Sequence, residues 1–163
     1  MIRIASQNHA KKQEEITSLL IPLQNRVLLV PTVTVAEMAA YSRPEPVANA
    51  PAWLLGFYHW REQKVPLLSF ELLNGEPCPA PAAKSRVAVF NNTGVSDELP
   101  FIAIPTQGIP RLARVTNNEI TERDDADNKS FDLMQVNVSG EDAVIPNISA
   151  LENAYLNWKN NVL

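Results

Sequence analysis

Thirteen prolines interrupt the short apolar runs of this chain, against only five glycines, and that spacing leaves little of it able to form long helices. Proline has no backbone N–H and clashes inside a helix, whereas strand edges and bulges tolerate it. A mainly β fold is therefore predicted. Leu19 to Leu23 and Val27 to Val30 flank Gln24-Asn25-Arg26 as the arms of a hairpin, and Val33-Thr34-Val35 continues the second arm with the alternation of a half-buried strand. Leu54 to Trp60 and Val65 to Phe70 form a second apolar pair around the polar turn Arg61-Glu62-Gln63-Lys64. The segment Asn74-Gly75-Glu76-Pro77-Cys78-Pro79-Ala80-Pro81 cannot continue a sheet and reads as a linker.

Beyond it, Arg86 to Phe90, Phe101 to Ile104 and Ile109 to Val115 read as strands, and Leu133 to Val138 with Ala143 to Ile145 as a last hairpin. The period then changes. Ile148, Leu151, Tyr155, Trp158 and Val162 fall on one face of a C-terminal helix, with Ser149 and Glu152 offering a capping box. The expected organisation is a tail at 1–16, a first β half at 17–75, the proline-rich linker at 76–83, a second β half at 84–146 and a docked helix at 147–163.

Several classes of function are disfavoured. One cysteine, Cys78, cannot build a disulfide framework or a cysteine metal cluster, which fits a reducing compartment. The N-terminus has no apolar stretch of signal-peptide length and no apolar run approaches the roughly 18 residues of a membrane span, so a soluble, cytoplasmic protein is expected. A net charge of −4 with interspersed signs does not suit nucleic acid. The acidic run Glu122 to Asp127 reads as a solvated loop rather than a calcium loop. No nucleophile elbow, glycine-rich phosphate loop or zinc-binding HExxH is present, so no catalytic residue, cofactor or metal ligand is assigned.

What remains is aromatic and basic. Trp53, Phe57, Tyr58, Trp60 and Arg61 crowd together, and Trp, Tyr and Arg are the side chains that carry energy at protein interfaces. Alternate members of the run would also fill a barrel core, with Phe57 the expected core residue. Read as a unit, Pro51 to Leu68 resembles the central signature of CheW-like adaptors, with Gly56, Arg61, Val65 and Pro66 in register. Val35-Ala36-Glu37 resembles the family's valine-x-glutamate, and the likeness extends in order over residues 17 to 156. His59, Glu62, Ser69 and Glu71 depart from the pattern, and the wording around Trp53 to Gly56 and Pro66 to Glu71 is similar to the ChpC branch of chemosensory pili systems.

The resemblance implies two small five-stranded SH3-like barrels packed together, with a C-terminal helix and no active site. It implies an adaptor that meets the regulatory domain of a CheA-type histidine kinase and the tip of a methyl-accepting chemoreceptor, in control of type IV pili and twitching motility. Its interface candidates are Val35, Glu37, Gly56 and Arg61. Gly56 has an equal structural reading as a position of special backbone or close packing. The rival is a small-molecule-binding or catalytic β-barrel with a pocket at His59, Trp60 and Arg61. A pocket converging on those three favours the rival; an exposed Arg61 favours the adaptor.

Overall fold

The computed structural model describes residues 14–124 and 127–162. Strand β1 (Glu15–Pro22) turns back into β2 (Val27–Pro31) as the first expected hairpin. The expected continuation through Val33-Thr34-Val35 does not occur. A 3-10 turn at Thr32–Thr34 ends the strand, with Thr34 Oγ1 donating to Pro31 O at 2.7 Å and Thr32 Oγ1 to Thr17 O at 3.2 Å. One bond is local and the other ties the turn to β1; both satisfy backbone carbonyls as the chain passes into β3 (Val35–Ala40), in a different sheet.

Strands β4 (Leu54–Trp60) and β5 (Gln63–Leu68) pair antiparallel, but β5 stops short of Phe70. Ser69 caps a short helix α1 (Phe70–Leu73), its Oγ accepting from Leu72 N at 3.1 Å. The chain continues through β6 (Arg86–Asn91), β7 (Phe101–Thr106), β8 (Arg111–Thr116), the unexpected short β9 (Ile120–Glu122), β10 (Asp132–Val138), β11 (Glu141–Pro146) and helix α2 (Ile148–Asn161). Segment 76–83 carries neither strand nor helix.

One sheet has six strands in the order β8-β1-β2-β11-β10-β9, the other five in the order β3-β6-β7-β5-β4. The chain is therefore not divided into a first β half at 17–75 and a second at 84–146. The five-stranded sheet is complete between residues 35 and 106 and is inserted between β2 and β8 of the other. The reason is long-range pairing: β1 lies between β2 and β8, with Leu19 opposite both Val30 and Leu112. Glu15 and Ile16 already belong to β1, so the expected tail at 1–16 overlaps a strand; residues 1–13 lie outside the described residues.

The two sheets share one pairing scheme. In each, a hairpin (β4-β5 or β10-β11) joins a three-stranded antiparallel unit (β7-β6-β3 or β2-β1-β8) through one parallel contact, Leu67 with Ala103 or Val144 with Leu28. A helix follows the parallel strand in both, α1 after β5 and α2 after β11. The first barrel is thus a circularly permuted version of the second, its β1 and β2 taking the places of β6 and β7.

Among the described residues the apolar side chains form three clusters. Tyr58, Trp60, Val65, Leu67, Val87, Val89 and Ala103 lie inside the second barrel, and Leu20, Leu29, Val115, Val136 and Ala143 inside the first. The largest cluster joins Ile21, Leu28 and Val30 to Leu68, Phe70, Ala88, Phe90, Ile102 and Ile104, with Leu151 and Tyr155 of α2. Successive residues of β2, β6 and β7 therefore face different cores. Such strands have no solvent face, which is why they read as unbroken apolar runs.

Helix α2 starts at Asn147, whose Oδ1 accepts from Ala150 N at 3.1 Å and from Ser149 Oγ at 2.9 Å. The expected Ser149-Glu152 capping box is not formed. Glu152 is buried and reaches instead to the loop after β6, accepting from Thr93 N at 3.0 Å and from the Thr93 hydroxyl. Of the predicted stripe, Leu151 and Tyr155 are buried, Ile148 and Trp158 are half-buried, and Val162 is exposed because it lies past the last turn. Leu151→Ala should destabilise the protein by about 2–5 kcal/mol, as expected for a fully buried leucine. Val162→Ser should change stability by less than about 0.5 kcal/mol. Urea unfolding of the two variants checks both values.

Candidate protein-interaction site

β3 and β4 are the outer strands of the five-stranded sheet, and hydrogen bonds join them across a seam. Side chains of β4 make that seam. The Tyr58 hydroxyl donates to Ala40 O, and Trp60 Nε1 donates to Glu37 Oε1 at 2.9 Å. Both rings belong to the barrel core, with Trp60 edge-on to Phe101 at 4.8 Å between centroids. Burial, with a smaller contribution from the nearby Glu37 charge, pushes the Tyr58 hydroxyl above its usual range and keeps it a donor. Phe57 faces the other way, so it is not the barrel-core residue expected; it packs on the layer between the barrels, edge-on to Tyr155.

The hairpin that follows is tighter than expected. Trp60 pairs with Gln63, so the turn is the two residues Arg61 and Glu62, with φ of 47° and 63°. Both positions left-handed is the signature of a turn that matches strand twist and prefers glycine or asparagine. The turn aims Arg61 back over Trp60 toward β3. Its Nη2 lies 3.1 Å from Glu37 Oε1, and its guanidinium stands 4.7 Å from the centroid of the Trp60 ring. One carboxylate oxygen therefore holds both the buried indole N–H and the arginine, whose side chain remains 65% exposed.

The other two interface candidates differ from this pair. Val35 begins β3 opposite Phe90, next to a bulge that precedes Glu37, and is half-buried against the layer between the barrels. Gly56 is buried, with φ 139°, and a Cβ there would stand 2.2 Å from Glu45 O. The backbone of Glu45 bridges to Phe57 with reciprocal bonds of 2.8 Å, so it occupies the space a side chain would need. The structural reading of Gly56 is the one the geometry carries: it presents no surface to a partner.

His59, Trp60 and Arg61 do not line one pocket. As neighbours in a strand, His59 and Trp60 point to opposite faces; His59 is exposed with Nε2 3.0 Å from Glu45 Oε1, while Trp60 is in the core. Glu45 also accepts from Lys64 at 3.1 Å, and the lysine first, then His59, hold its carboxyl below the usual range. A cavity of about 560 Å³ elsewhere on the molecule is lined by none of the three. Among the described residues no cluster of three or more His, Cys, Asp or Glu side chains suited to a metal ion is found. No described helix is long and apolar enough to cross a membrane.

Glu45 and the indole of Trp60 were not singled out as a polar framework by sequence. Their partners stand 14 and 23 residues away across the seam, and only the alternation of β4 could have hinted that Tyr58 and Trp60 share a face.

Residues 17–154 match the family model of the CheW-like domain. No curated protein matches the chain. Among solved structures, the chain is similar to the scaffolding protein TtCheW from Thermoanaerobacter tengcongensis, with a TM-score of 0.69 at 11% identity, covering 82% of this chain and 89% of that one. At that identity the likeness establishes the fold.

Two substitutions separate backbone roles from surface roles. Gly56→Ala should destabilise the fold by about 3 kcal/mol, since either the Glu45 strand moves or the new methyl overlaps it. Glu62→Gly should stabilise it by about 1 kcal/mol by relieving a left-handed residue. Chemical unfolding of each variant measures both signs.

Proposed function

The chain belongs to the CheW-like domain family, and from that we propose that it is a non-catalytic, cytoplasmic signalling adaptor that couples a chemoreceptor to a CheA-type histidine kinase. The observation that carries this reading is the exposed Arg61 held in place from two sides, by Glu37 and by the face of Trp60. An ion pair this exposed contributes only about 0–1 kcal/mol to stability. Its main consequence is to order the guanidinium before a partner arrives, which lowers the entropic cost of association. A guanidinium so placed can fork onto a carboxylate of the kinase regulatory domain or of the receptor tip.

Glu37 and Arg61 form the centre of the proposed contact, and Val35, half-buried at the start of the same strand, lies at its apolar margin. The similarity of the Trp53 to Gly56 and Pro66 to Glu71 wording to the ChpC branch supports a setting in chemosensory control of type IV pili and twitching motility. The rival pocket has no support from the arrangement of His59, Trp60 and Arg61.

Arg61→Ala should weaken binding to kinase or receptor by about 2 kcal/mol or more while changing stability by less than about 0.5 kcal/mol. Arg61→Lys should fall between, since it keeps the charge and loses the fork. Glu37→Gln should weaken binding less than Arg61→Ala, because the amide oxygen can still accept from Trp60. Titration calorimetry with purified kinase regulatory domain and receptor fragment measures these losses, and undiminished binding of both partners by the alanine variant would rule the site out.

A further inference from the structure

Beyond the Ala40 end of β3 opens the cavity of about 560 Å³, which shares no residue with the Glu37, Trp60 and Arg61 cluster. Its floor is Tyr41 and Leu55, which pack against the interior of the second barrel, and five prolines from three segments contribute to its walls. Pro44 and Pro46 come from the loop after β3, Pro79 and Pro81 from the 76–83 linker, and Pro105 from β7. Proline rings lose almost no side-chain entropy on contact and fix their own φ, so little freedom is lost when a ligand lies against them. Ser85 Oγ accepts from Ala82 N at 2.8 Å and anchors the return of the linker.

The charge around this cavity runs against that of the chain. The protein carries a net charge of −4, yet among the described residues no carboxylate lines the cavity, while Arg43 does; Glu45, between the lining Pro44 and Pro46, is held by Lys64 and His59. Lys84 and Arg86 flank the lining residue Ser85, and Arg86 Nη1 donates to Ser85 O at 3.0 Å. Among the described residues none of these three cations has a carboxylate within ion-pair distance, whereas Arg26, Arg61, Arg111 and Arg114 each have one. A half-buried apolar floor beside an exposed guanidinium is a complement to an apolar group that ends in an anion.

We propose that this cavity binds a small amphipathic organic anion, with its apolar body against Tyr41, Leu55 and the prolines and its terminal carboxylate on Arg43. The volume is within the range of roughly 300–1,000 Å³ that small-molecule sites occupy. A peptide added as a strand does not suit it, because the proline-rich rims offer no run of backbone donors. The inference is independent of the adaptor reading and uses different residues.

Cys78 lines the same cavity, is exposed, and is the only thiol of the chain, so it reports occupancy. The test is an NMR titration of the full chain with hydrocinnamate, with phenylpropylamine and phenylpropanol as charge controls, alongside the rate of Cys78 alkylation by iodoacetamide. Hydrocinnamate should bind about tenfold tighter than either control and slow the alkylation about fivefold at saturation. Arg43→Gln, at an exposed position, should melt as the parent does and reduce hydrocinnamate to the affinity of the alcohol; Arg43→Lys should retain part of the preference. Arg61→Ala should leave binding unchanged. Equal binding of the amine, full affinity in Arg43→Gln, an unprotected Cys78, or no saturable binding of hydrocinnamate would each overturn the proposal.

Discussion

The apolar layer between the two barrels is the interaction on which the rest of the molecule depends. Ile21, Leu28 and Val30 on one side meet Ala88, Phe90, Ile102 and Ile104 on the other, and Leu151 and Tyr155 seal one border. Because β2, β6 and β7 give alternate residues to this layer and to a barrel interior, neither barrel can present a finished outer surface alone. The polar links across the fold follow from it. Glu152 reaches Thr93 because α2 is docked there, and buried Asp132 gathers Arg26, Asn74 and the N–H of Lys129 where the first hairpin, α1 and β10 converge. Removing one member of such a network would leave its partners buried and unpaired, which costs more than the contact itself contributes.

How much of this was legible in the sequence depended on how local each cause was. The β class and most strand positions were readable, since proline spacing and hydrophobic runs act within a few residues. Ser69 ended β5 by a cap that a sequence reading could have weighed, but the run Val65 to Phe70 is equally apolar on both sides of it. The three residues of β9 carry one apolar side chain and gain their strand character only by pairing with Val136 to Val138. The parting of β2 from β3 was hidden for another reason: Val33-Thr34-Val35 alternates properly, and only the hydroxyl bonds of Thr32 and Thr34 show that the backbone turns.

The candidate site divides in the same way. The likeness of short motifs to a family brought Glu37 and Arg61 together, and the structure joins them through one oxygen. It also placed Gly56 with them, although the role of that glycine is fixed by the backbone of Glu45, a neighbour no periodicity announces. Trp60 looked like an interface aromatic and is instead a barrel-core residue whose one polar atom holds the Glu37 carboxylate. Aromatic residues near a surface motif can thus serve the surface from beneath.

The permuted order of the first barrel also bears on the sequence of events as the chain leaves the ribosome. The second barrel has all of its strands by residue 106, so it can close while the first still consists of a lone hairpin, β1 with β2. That hairpin must wait for β8 and β11, whose pairings span about a hundred residues and carry a correspondingly high loop-closure cost. The inserted barrel then becomes the template: its outer face offers Ala88, Phe90, Ile102 and Ile104 as a ready surface on which the waiting hairpin can rest. A chain built this way gives its waiting hairpin a folded neighbour to rest on before the last strands arrive.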